Sequence, residues 1–81
     1  MEIELPRHVK RRMQLYKIDE KDIIETIKAY IADKVLTLGK HEIVNKNMAE
    51  KYKYPLKIIF SKENNKIVII TAYPLRKGRR L

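Results

Sequence analysis

Apolar residues recur along this chain at two different spacings, and the change from one to the other divides it into a helical front and a strand-rich back. Val9, Met13 and Tyr16 fall at helical intervals behind Pro6, whose fixed φ suits a first helical turn. Residues 7–17 are therefore predicted as a helix burying those three side chains. Ile23, Ile24, Ile27 and Ile31 mark the apolar face of a second helix, with Asp19 as N-cap and Glu20 and Asp22 favourably placed against the helix dipole. This helix should fade near Ala32.

Behind it the period drops to two. Val35–Leu38 and His41–Lys46, either side of Gly39, read as a hairpin or a bent strand pair. Leu56–Phe60 and Ile67–Tyr73 are rich in β-branched and aromatic residues and flank Glu63-Asn64-Asn65-Lys66, where an Asn-Asn turn with positive φ would close a tight hairpin. That turn sets Phe60 opposite Ile69, Ile58 opposite Thr71 and Leu56 opposite Tyr73 on one face. Ile59, Val68 and Ile70 then fill the other, and a strand apolar on both faces belongs in the middle of a sheet. The expected fold is α+β, with two N-terminal helices on one face of an antiparallel sheet of about four strands.

Composition narrows the function classes. Eighty-one residues make one domain, 1–81, and 44% hydrophobic with 36% charged residues is the balance of a folded chain. No cysteine is present, which removes disulfides, zinc–thiolate sites and thiol nucleophiles. The longest apolar run, Ile67–Ile70, is strand-length, and the N-terminus lacks a signal-peptide pattern, so a cytoplasmic protein without a membrane span is expected. Nineteen Lys and Arg stand against ten Asp and Glu, for a net charge of +9. On so small a domain that excess favours a polyanionic partner, RNA or the ribosome foremost.

The cations are concentrated at the two ends. Arg7, Lys10, Arg11, Arg12 and Lys17 crowd the first helix, and Arg76, Lys77, Arg79 and Arg80 crowd the tail. A central last strand would bring the blocks together as one groove for an RNA backbone. His8 and Arg12, four apart, share a helix flank. RNA cleavage through the 2′-hydroxyl needs a base, an acid and cations on the phosphate. His8 supplies the first role and Arg12 the last, with Tyr73, Arg76 or Lys77 as acid or clamp; equally, His8 could simply bond backbone at the helix start. His41 and Glu42 point to opposite faces of a strand, and two histidines without paired carboxylates predict neither a metal site nor a cofactor. Tyr52 and Tyr54, in the Lys-flanked KYKYP segment, suit base stacking and rim packing equally well.

The order His8-Val-Lys-Arg-Arg12-Met13, followed by Ile18-Asp-Glu-Lys-Asp22-Ile23, resembles the opening of a family of small proteins grouped with the RelE/ParE-type toxins and the barnase/colicin-like ribonuclease fold. Tyr54-Pro55-Leu56-Lys57-Ile58 and Ile69-Ile70-Thr71-Ala72-Tyr73-Pro74 resemble that family's Pro-Leu-x-Val entry and its Thr-x-Tyr-Pro strand end. Where the family often carries Arg-Gly, this chain has Tyr16-Lys17. The resemblance implies a RelE/ParE-like fold and points to His8, Arg12, Thr71 and Tyr73. It also implies a toxin-like, RNA-directed domain, in its catalytic form a metal-independent endoribonuclease, neutralised by an acidic antitoxin. The alternatives are a non-catalytic module gripping nucleic acid or an acidic protein, and a small domain that dimerises through a free sheet face or edge.

Overall fold

The computed structural model describes residues 2–32 and 34–76. Strand β1 (Glu2–Glu4) leads into helices α1 (Arg7–Tyr16) and α2 (Glu20–Ile31). Strand β2 (Gly39–Asn45) runs through a 3-10 turn at Lys46–Met48 into the one-turn helix α3 (Ala49–Tyr52). Strands β3 (Leu56–Lys62) and β4 (Lys66–Pro74) complete the chain. The fold is α+β, and the sheet order is β1-β4-β3-β2. β2, β3 and β4 are antiparallel neighbours, whereas β1 lies parallel to β4, so the sheet is mixed rather than wholly antiparallel.

One face of this sheet holds the core. Val9 and Met13 of α1, Ile18 after it, and Ile23 and Ile27 of α2 pack on Ile43, Leu56, Ile58, Phe60, Ile67, Ile69 and Ala72. Phe60 is fully buried, edge-to-face with Tyr30 (6.1 Å between ring centres) and stacked on His41 (5.3 Å). His41 donates from Nε2 to the Thr37 carbonyl at 2.8 Å, since a carbonyl only accepts, and so ties the preceding loop to β2. Between α1 and α2 the chain reverses at Lys17, whose φ of 58° is left-handed. The Lys17 and Ile18 amides bond back to Gln14 and Met13, satisfying helix-end carbonyls and turning Ile18 into the core.

Several sequence expectations are corrected. Val35–Leu38 forms no strand, because β2 starts at Gly39 and pairs with β3 instead. Val35 is 95% and Leu38 65% exposed. Neither Asn64 nor Asn65 takes positive φ, although the tight turn does form, with the Glu63 amide donating to the Lys66 carbonyl at 2.8 Å. The predicted register holds from the turn to Phe60 opposite Ile69, then slips: Ile59 faces Thr71, Ile58 faces Ala72 and Leu56 faces Pro74. Ile70 is the extra residue of this bulge. Because strand side chains alternate, the slip puts Ala72 in the core and moves Thr71 and Tyr73 to the opposite face. Tyr16, expected inside, is 37% exposed.

Candidate nucleic-acid interface

Strand β1 pairs only with Lys66–Val68, so among the described residues no strand lies on the β1 side of β4 beyond that point. α1 packs along β4 there. The bulge leaves the Ile70 carbonyl for a side chain to take up, and His8 Nε2 meets it at 3.1 Å. Since the carbonyl only accepts, Nε2 carries the hydrogen and Nδ1 is the nitrogen left to take a proton. His8 is thus an edge cap on the sheet, the backbone-bonding role its helix-start position allowed.

One turn further along α1, the same flank opens into a hollow of about 570 Å³. Arg12, Tyr16, Tyr52, Tyr54, Tyr73, Pro74, Leu75 and Arg76 line it. The two arginines come from opposite ends of the sequence. Arg12 is carried by α1, and Arg76 is held where the Leu75 amide donates to the Pro55 carbonyl at 2.7 Å. That bond fastens the start of the tail beside the entry to β3. Arg76 lies over the Tyr54 ring, 5.9 Å from its centre, a cation–π arrangement. Arginine over tyrosine beside open aromatic faces is the chemistry that takes a phosphate and a nucleobase together.

The tyrosine wall has its own support. Tyr52 is the last residue of α3, a single turn too short to be stable alone. Its hydroxyl donates to the Asp22 carboxylate and accepts from the Asp19 amide at 3.0 Å. The Lys51 ammonium bridges Asp19 (2.6 Å) and Asp22 (2.8 Å). Asp19 sits at the α2 N-cap position as expected, but its side chain serves this bridge and makes no cap bond. Lys53 follows in the left-handed region (φ 74°) and turns the chain so that Tyr54 joins Tyr52 in the hollow. The hydrogen bonds from Lys51 and then Tyr52 hold the Asp22 carboxyl below its ordinary range, against the opposing effect of burial. Burial, then donation to Asp22, pushes the Tyr52 phenol upward. Bonding to Asp19 and Asp22 raises Lys51.

A carboxylate whose native pKa is depressed stabilises the fold above its unfolded pKa and loses that contribution as pH falls through the native value. Asp22→Asn is therefore expected to lower stability by about 1 kcal/mol near neutrality. It should also flatten the decline of the melting temperature below about pH 4, the unfolded carboxylate range. Thermal melts of both proteins from neutral to acid pH measure this, and parallel profiles would contradict it.

The remaining sequence candidates divide by position. Of the proposed trio, Arg12 and Tyr73 share the hollow, while His8 stands outside it at the Ile70 bulge. Arg7, Lys10 and Arg11 are exposed on α1. Lys10 lines a different groove, with Lys17, Asp19 and Glu20. Thr71 lies on β4 outside the hollow. Lys77, Arg79 and Arg80 fall outside the described residues, as does Gly78. The Asp22–Tyr52–Lys51 cluster had no sequence signal, because its members lie about thirty positions apart. Among the described residues, no group of three or more His, Asp or Glu side chains could hold a metal ion, and no helix is long and apolar enough to cross a membrane.

No curated protein and no solved structure gives a significant match to this chain. A family match covers residues 5–74, from the entry to α1 to the end of β4, and so takes in every residue lining the hollow except Leu75 and Arg76. By that match the chain belongs to the family described as a domain of unknown function, DUF4258.

Proposed function

We propose that this is an RNA-directed domain of the RelE/ParE toxin-like kind, which grips an RNA strand at the Arg12–Arg76 hollow. The observation that carries this reading is that arginines from the two basic ends of the sequence line one concavity together with four tyrosines. The arginines bind successive phosphates, and the open rings stack unpaired bases. Exposed Arg7, Lys10 and Arg11 extend the positive surface along α1. An acidic antitoxin covering that surface would compete with RNA for the same charges.

A second reading makes the site a metal-independent endoribonuclease. It is favoured by Arg12, a phosphate-stabilising cation, sharing the hollow with Tyr73, a phenol able to place or donate a proton. His8, nearer the start of the same helix, would act through Nδ1 while Nε2 stays on the Ile70 carbonyl.

Both readings meet in one experiment with total RNA in chelator, using wild type, His8→Ala and Arg12→Ala. Salt-sensitive binding by wild type, weakened in Arg12→Ala, supports an RNA-directed domain. Cleavage by wild type that is lost in both variants supports the nuclease. Binding without cleavage in any of the three leaves the gripping module, and no binding by wild type contradicts the proposal.

A further inference from the structure

All three helices pack towards the sheet face that holds Phe60, and among the described residues no helix covers the opposite face. Its middle carries branched aliphatic side chains beside Ser61, Thr71 and Tyr73. Alternation from the buried positions places Ile59 of β3, Val68 of β4 and Val44 of β2 on it, with Ile70 at the bulge. Val44 is 43% and Ile70 39% exposed. β4 therefore carries branched aliphatic side chains on both faces, the pattern of a strand covered on both sides, although antiparallel sheets facing water usually turn polar outward.

The charges on this face argue for what covers it. Lys40, Lys57 and Lys66 are matched by Glu2, Glu4 and Glu42, so the formal charges cancel in a chain of net +9. Lys57 bridges Glu42 at 3.4 Å, and Lys66 bridges Glu4 at 2.9 Å. A polyanion has no reason to choose this neutral face over α1. A surface carrying equal numbers of both signs can pair with a second copy of itself when lysines of one copy meet glutamates of the other, the kind of contact a two-fold dimer makes. A standard interface takes about 800 Å² from each partner, roughly one-seventh of this molecule's 5926 Å² surface.

We infer that the uncovered face joins two copies of this chain in a symmetric dimer. Tyr73, opposite Lys57 on this face, also lines the hollow, so the dimer meets the RNA site at that residue while Arg12 and Arg76 stay off the shared face. The two associations then respond oppositely to salt. RNA binding weakens as counterions are added, whereas the dimer holds or tightens as the repulsion between two +9 molecules is screened.

Sedimentation velocity of the full chain at about 0.05 and about 0.5 M salt tests this. The expected result is a concentration-dependent dimer at both salts, no weaker at the higher one. Ile59→Lys should raise its Kd about tenfold or more while circular dichroism stays native. Should Ile59→Lys fail to fold, Ile59→Thr, polar but strand-compatible, carries the same expectation. A monomer at every concentration and both salts would overturn the inference and leave the face to solvent or to a different protein. A dimer that survives both substitutions unchanged would also overturn it, by placing the contact elsewhere.

Discussion

Arg12→Ala combined with Arg76→Ala is expected to weaken binding of a short single-stranded RNA about 25-fold near 0.1 M salt. Each phosphate contact on a single strand contributes about 0.7 to the slope of log K against log salt. Losing two lowers the slope by about 1.4, and carried from 1 M down to 0.1 M that is a factor of about 25. The variants remove exposed or rim-lying side chains, so the fold should survive. A salt titration of wild type and double variant measures both quantities. Equal slopes would mean that neither arginine touches a phosphate. Replacing Lys40 and Lys57 on the neutral sheet face with Ala removes the same formal charge and should change the slope far less. That comparison separates a located site from general attraction to a +9 molecule.

Phe60→Ala is expected to cost about 3–5 kcal/mol. Phe60 is fully buried and joins the layers of the fold, touching Tyr30 of α2 on one side and His41 of β2 on another. A domain of this size has about 4–12 kcal/mol of stability in total, so the variant should sit near or past the point of unfolding. At about 4–8 °C per kcal/mol, the melting temperature should fall by roughly 15 °C or more. Thermal melts by circular dichroism measure this, with Leu15→Ala, 74% exposed, expected to change stability by no more than about 0.5 kcal/mol. A Phe60→Ala protein that melts within a few degrees of wild type would mean that the core is assembled differently.

Both helices and the β3–β4 hairpin were legible in the sequence because each is long enough for its own period to repeat. Val9 and Met13 were read correctly as buried, and so were Ile23 and Ile27. The third member of the first stripe, Tyr16, failed for a tertiary reason: the last turn of α1 reaches the hollow, where Tyr16 becomes wall instead of core. β1 has three residues and α3 has four, too few for any periodicity, and each is held by partners remote in sequence. For β1 the partner is β4, and for α3 it is the Asp19–Asp22 pair. Val35–Leu38 has strand composition, but β3 spends its free edge on β2, leaving that run unpaired. The bulge at Ile70 carries no glycine or other local marker inside its β-branched run, yet it decides which face Thr71 and Tyr73 occupy and offers His8 a carbonyl.

The candidate site divides in the same way. Arg12, Tyr73 and Arg76 stood out from charge and from the resemblance, and a central β4 was the inference that would bring the basic ends together. β4 does lie between β1 and β3, and Arg76 lines the hollow with Arg12. The Tyr52 anchor was not legible, because nothing local connects a carboxylate on α2 to a phenol thirty residues later.

In the proposed function, RNA enters the tyrosine-lined hollow rather than spreading over every basic surface. An NMR titration of the intact protein with a short single-stranded RNA reports this through the tyrosine ring and arginine side-chain signals. The expected result is a saturable shift of Tyr16, Tyr54 and Tyr73 together with Arg12 and Arg76, while residues of the uncovered sheet face such as Val68 stay in place. Shifts scattered among surface lysines with the tyrosine rings unmoved, or no shift at all, would contradict it.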